Sequence, residues 1–265
     1  MFGSEVPRFS TFNPRNMFLC LIASLTLINC GTFQSSSEPS VVDTPNFELF
    51  HQSYKEPWAR LTLKPEFQEK SFSESVRASL KDYLHQLIQR LSQFDAHFKP
   101  FPSEVTLFAE KRFPPVISLP MKRFGFNALT LDQFQYENEL AAAIALEMAH
   151  QFLGHFPNPT NEKKSVFWMH RHRKGPLYSK GLRKEAVRVA TTILRGGGFD
   201  VRGIPHYFKN QLHRAAQGQN EDEQLQIKAL LDYSYREIAR VAPLRNPVVR
   251  SKKFIEFKKK LKLRN

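Results

Sequence analysis

Two side chains in the stretch ENELAAAIALEMAHQFLGH, residues 137–155, are of types that do chemistry and stand close together. Glu147 and His150 are three residues apart, so on an α-helix they share a face. A carboxylate beside an imidazole can move protons, take part in a metal site, or simply form a structural acid–base pair. The chain has two cysteines, Cys20 and Cys30, both within the first thirty residues. A metal site anywhere later would therefore have to use His, Asp or Glu. His155 follows His150 by five residues, which on a continuing helix is about 140° around the axis and belongs to a different face. His170 and His172, in the basic loop FWMHRHRK, could swing in from the side. The plainer alternative makes both groups structural. His150 is then a core or groove histidine paired with Arg183 or Glu185, and Glu147 a buried carboxylate neutralised by Arg183.

These residues need a helix to hold them, and the pattern predicts one from near Glu137 to about Phe156. An amphipathic helix is expected earlier, from Ser71 to Phe94. Its apolar positions Val76, Leu80, Tyr83, Leu84, Leu87, Ile88, Leu91 and Phe94 have helical spacing, and Ser71 with Glu74 makes a capping-box pattern at its start. Between the two, VTLFAE, PPVISLPM and FGFNALTL read as short strands, the last two joined by a turn at Lys122 and Arg123. A further helix spans roughly Leu182 to Leu194 and stops at the triple glycine 196–198. Helices follow near 205–216 and 221–241, and the basic segment SKKFIEFKKKLKL comes last. Residues 47–265 read as a single domain without internal repeats. With 24 phenylalanines in the chain, its core should be rich in aromatic rings.

The helix sequence resembles the active-site helix of the zinc metallopeptidase family that includes HtpX and the CAAX prenyl proteases, where the pattern reads DELAAVLAHEIAHxxxxH. Three more segments fall in the family's order. PPVISLPMKRFGFNALTLDQF stands in place of its edge strands. RKEAVRVATTILRGGGFDVRG stands in place of its ExxAD element, and RNPVVRSKKFIEFKKKL in place of its late HP turn and last helix. The resemblance covers about residues 100–265. It implies an α+β, mainly helical, zincin-like fold with a small sheet beside the active-site helix.

In the family's HExxH motif, two histidines four apart ligate one zinc ion, and the glutamate serves the metal-bound water as general base. Glu147 matches that base and His150 the second ligand. The departures fall on the chemistry. Leu146 stands for the first histidine, Arg183 for the glutamate ligand, Val187 for the aspartate of ExxAD, and Asn246 for the histidine of the HP turn. A catalytic zinc site normally has three protein ligands and a structural one four, and a permanently charged guanidinium in the shell repels a cation. The resemblance therefore implies a vestigial base and a single vestigial ligand. It points to a domain without a cofactor that acts by binding protein or peptide. The alternative is an active zinc metalloendopeptidase with an atypical ligand set. A third reading is a purely structural envelope protein with no ligand groove.

Residues 17–30, MFLCLIASLTLINC, form an apolar run preceded by Arg8 and Arg15. The run is too short for a bilayer-spanning helix and fits the apolar region of an export signal. Its end, Leu27-Ile28-Asn29-Cys30-Gly31, resembles a bacterial lipobox, with Asn29 where a small residue is usual. That implies lipidation at Cys30, a signal over residues 1–30, and an exported protein held on the periplasmic or cell-surface face of a membrane. An ordinary secretory signal or an N-terminal anchor is the alternative. Residues 31–46, rich in Ser, Pro and Thr, read as a flexible tether.

The net charge of +14 is concentrated in two places. Residues 163–184 carry eight Lys or Arg, and the tail from Arg245 to Arg264 carries nine against the single acid Glu256. The tail also holds Phe254, Ile255, Phe257, Leu261 and Leu263. It can pack its apolar side on the domain or lie on an anionic membrane. The chain carries no nucleic-acid-binding motif, and nucleic acid is not expected as a partner.

Overall fold

The computed structural model describes residues 69–94, 104–109, 113–119, 123–153, 155, 178–218 and 221–263, all within one compact unit, Thr44–Asn265. The signal, Cys30, the tether, His170 and His172 lie outside the described residues.

Among the described residues, six helices and three strands follow in the order α1 (Glu74–Leu91), β1 (Val105–Phe108), β2 (Val116–Leu119), β3 (Arg123–Asn127), α2 (Glu137–Phe152), α3 (Lys180–Gly196), α4 (Gly203–Gln217), α5 (Glu221–Ala239) and α6 (Lys252–Leu261). The fold is thus α+β and mainly helical, with a small mixed sheet. The sheet order is β1-β3-β2, with β3 central. β1 runs parallel to β3, pairing Val105 with Phe124, and β2 runs antiparallel to it, pairing Ser118 with Phe124. β2 is consequently an edge strand, and it is the one that packs against α2.

The alanine-rich α2 is the central helix. It contacts α1, α3, α4 and β2, and every residue from Glu137 to Leu146 is buried. Small side chains let several elements approach it closely. At Gly203, the first residue of α4, an added Cβ would fall 2.1 Å from the Asn138 carbonyl oxygen, so only glycine fits there. α2 and α3 run antiparallel. Asn138, at the start of α2, donates to the Asp200 carbonyl just past the end of α3, whereas His155, beyond the end of α2, meets Glu185 in the first turns of α3. α3 stops where the glycines were expected to stop it, with Gly198 at φ 75° in the left-handed region.

Glu137 ties three elements together. Its carboxylate accepts from the Tyr83 hydroxyl of α1 at 2.9 Å and from the backbone N–H of Ser251, the N-cap of α6, at 2.7 Å. Glu139 accepts from the backbone N–H groups of the N-cap Tyr136 and of Gln135 just before it. The core is aromatic as expected: Phe108, Phe124, Phe126, Phe134, Phe199 and Phe254 are each fully buried.

Local expectations are corrected at two helix ends. α1 starts at Glu74 with Ser73 as its N-cap, its side chain accepting from Val76 N–H. Ser71 is instead hydrogen-bonded to Glu69, two residues earlier. α2 ends at Phe152 rather than near 156, and the His155 N–H turns back to the His150 carbonyl at 2.9 Å. The basic tail packs on the domain. α6 buries Phe254, Phe257 and Leu261, with the Phe257 ring stacked on Tyr83 at 4.4 Å. Among the described residues, no helix is long and apolar enough to cross a membrane.

Candidate functional site

Glu147 and His150 lie in the last turns of α2, facing β2 on one side and the start of α3 on the other. Ser118 of β2 binds Glu147 twice. Its backbone N–H donates to the Glu147 carboxylate at 2.9 Å, and its hydroxyl donates to the Glu147 backbone carbonyl at 2.9 Å. The first of these bonds uses an N–H that points away from β3, on the open edge of the sheet. The half-buried carboxyl of Glu147 is pushed up to about 7, because its apolar surroundings disfavour the charge more than the Ser118 bonds and the nearby Arg183 favour it.

His150 is 5% exposed, and the buried Tyr178 lies flat on its ring, with centroids 3.6 Å apart and planes 10° from parallel. Burial holds the Tyr178 phenol well above its ordinary range, and the Glu147 charge adds to this. The same ring thus lies within electrostatic reach of both chemically capable groups on α2.

His155 is brought to His150 after all. The expectation of separate faces assumed a continuing helix, but α2 ends at Phe152 and the chain folds back. The two Nδ1 atoms are 3.3 Å apart, and the His155 Nε2 lies 3.0 Å from the Glu185 carboxylate. Burial holds His150 well below the usual imidazole range, with His155 and Arg183 adding to the effect, and burial also lowers His155 against the pull of Glu185. Burial thus favours the neutral form of both rings, and in that form their contacts select the tautomers. Glu185 can only accept, so His155 carries its proton on Nε2. Its bare Nδ1 then accepts from His150 Nδ1–H, leaving His150 Nε2 with a lone pair. The direct pairing of His150 with Arg183 or Glu185 expected from the sequence does not form; the partner of His150 is His155, which in turn meets Glu185.

The direct pairing of Glu147 with Arg183 does not form. No ion pair within 4.0 Å joins them; Arg183 is half-buried and acts on Glu147 only as a neighbouring charge. The remaining positions are non-ligating or distant. Leu146 is 7% exposed and Val187 fully buried, both as parts of the apolar core. Asn246 is exposed, three residues before Val249, whose carbonyl accepts from the Glu137 and Asn138 N–H groups at the start of α2. Glu147 is ten residues further along, about 15 Å at the rise of an α-helix.

Zinc, which the resemblance would place here, does not fit these residues. One imidazole lone pair remains. Leu146 and Val187 have no donor atom, Arg183 brings a fixed positive charge, and Tyr178 stacks on the His150 ring. Among the described residues, no group of three or more His, Cys, Asp or Glu is placed to hold a metal ion. Tyr178, Ser118 and the His155–Glu185 link were not foreseen from the sequence. Tyr178 lies 28 residues after His150 in the sequence, and no spacing rule connects the two. In comparisons with known proteins, the chain matches no family model and no curated protein.

Proposed function

We propose that this chain is an exported lipoprotein, anchored in a membrane through acylated Cys30, whose domain is a zincin-like pseudopeptidase. It acts by binding an envelope protein or peptide on the periplasmic or cell-surface side. The observation that carries the inactive reading is the Tyr178 ring lying flat on His150, in a site whose other ligand positions are Leu146 and Arg183. The chemistry agrees. The Glu147 carboxylate, which would serve a metal-bound water in an active relative, is hydrogen-bonded to the backbone of β2. The arrangement of α2 beside the edge strand of a mixed sheet supports the zincin-like reading. The same geometry bears on binding. The Ser118 N–H, the edge donor an extended peptide would use near Glu147, is already taken, so a partner meets surfaces beyond the closed centre.

The test is hydrolysis of an unfolded polypeptide by the purified protein with added zinc, compared with Glu147→Gln. The expected result is no cleavage above background by either. Zinc-dependent cleavage that Glu147→Gln abolishes would establish the alternative, an active metalloendopeptidase with an atypical ligand set.

A further inference from the structure

The lysines of α6 divide into two groups. Lys253 donates to Gln86 of α1, Lys258 to the Asp132 carbonyl, and Lys260 to Ser79 of α1; these hold the helix to the domain together with Phe254, Phe257 and Leu261. The second group points the other way. At 100° per residue, Lys252, Ile255, Glu256 and Lys259 fall on the face opposite the buried one, and the C-cap Lys262 and Leu263 follow directly after the helix. All six are exposed, Ile255 at 37% and Leu263 at 58%. The ridge therefore carries three lysines against one acid, with two large apolar side chains set among them.

We infer that this outward ridge of α6 docks on an anionic phospholipid surface. Charge alone would suit any polyanion. The decisive feature is the interleaving, because Ile255 and Leu263 gain nothing from a phosphate backbone in water. In a lipid interface they can enter the headgroup boundary while lysines on either side reach outward to phosphates. The buried face of α6 is committed to the core, so the helix does not have to leave the domain to make this contact. The inference rests on this surface and is independent of both the peptidase-like reading and the lipid at Cys30.

The test uses the compact unit Thr44–Asn265, which lacks Cys30. Its co-sedimentation is measured with vesicles of phosphatidylcholine alone and of phosphatidylcholine mixed with phosphatidylglycerol. Each lysine near an anionic surface contributes about fivefold to partitioning. The triple change Lys252→Gln, Lys259→Gln and Lys262→Gln should therefore lower binding to the mixed vesicles by about a hundredfold, whereas Lys228→Gln on α5 should leave it unchanged. Ile255→Ser with Leu263→Ser keeps the charge and should still weaken binding several-fold. Far-ultraviolet circular dichroism confirms that each variant is folded. Equal binding of the wild type to both vesicles, or a triple variant that binds as the wild type does, overturns the proposal. It is equally overturned if duplex DNA is bound as tightly as the mixed vesicles and the Ile255/Leu263 variant retains full vesicle binding, which would make the ridge a general polyanion site.

Discussion

Glu147 offers a sharp test of the site's electrostatics. Its carboxyl titrates near 7 in the folded protein against an ordinary value of 4.5. Between those values the folded state binds more protons than the unfolded chain, so this group makes stability fall as pH rises through the window. Its contribution is fully favourable below about 4.5 and fully lost above about 7. The rise from 4.5 to about 7 corresponds to roughly 3 kcal/mol. Glu147→Gln removes the titration while keeping an oxygen that accepts from the Ser118 N–H. The difference in stability between variant and wild type should therefore be small at pH 4.5 and grow to about 3 kcal/mol in favour of the variant at pH 8. For a domain of this size that is a thermal midpoint shift on the order of 10 °C. Taking the difference matters, because the depressed His150 contributes the opposite slope, losing stability as pH falls, in both proteins. Urea unfolding at a series of pH values measures it. A gap that stays constant with pH, or one that favours the wild type at pH 8, would refute the reasoning. It would mean that Glu147 is held charged by a close cation.

Other consequences follow from the packing and from the proposed acylation of Cys30. Tyr178→Ala removes the ring stacked on His150 and should cost about 3 kcal/mol in urea unfolding; because Leu146 and Arg183 remain, the opened space should still not take up zinc. Glu137→Ala strands the Tyr83 hydroxyl and the Ser251 N–H and should destabilise by about 3 kcal/mol, with Glu137→Gln closer to the wild type. Cys30→Ser should abolish incorporation of labelled palmitate in cells and release the protein from the membrane fraction, whereas retention of the label would remove the lipoprotein reading.

The helices were legible because each has a buried stripe at helical spacing: Leu80, Leu84, Leu87 and Leu91 on α1 are all buried. The alanine run of α2 signalled a crowded central helix, and the triple glycine marked the end of α3 within two residues. The sheet was legible only as three short strands. The parallel pairing of β1 with β3 is a long-range choice that local alternation does not encode. The site was half legible. Glu147, His150 and the apolar Leu146 could be placed from spacing within one helix, and their burial follows from it. The His155 contact is invisible to helical spacing because α2 stops at Phe152, and a helix end reorients every later side chain. The Arg183–Glu147 ion pair was expected from charge alone, but the competing donor was the Ser118 backbone N–H, which any residue except proline supplies. The Tyr178 stack joins residues far apart in the sequence, and no periodicity reports such a contact.

The central claim, a peptidase-like centre that holds no catalytic metal, is tested most directly by the zinc content of the purified protein by elemental mass spectrometry after incubation with added zinc and removal of the excess. The account predicts a stoichiometry near zero. About one zinc ion per chain, retained through exchange and lost on chelation, would contradict it and would require a ligand set built around His150 from residues other than Leu146, Arg183 and Val187.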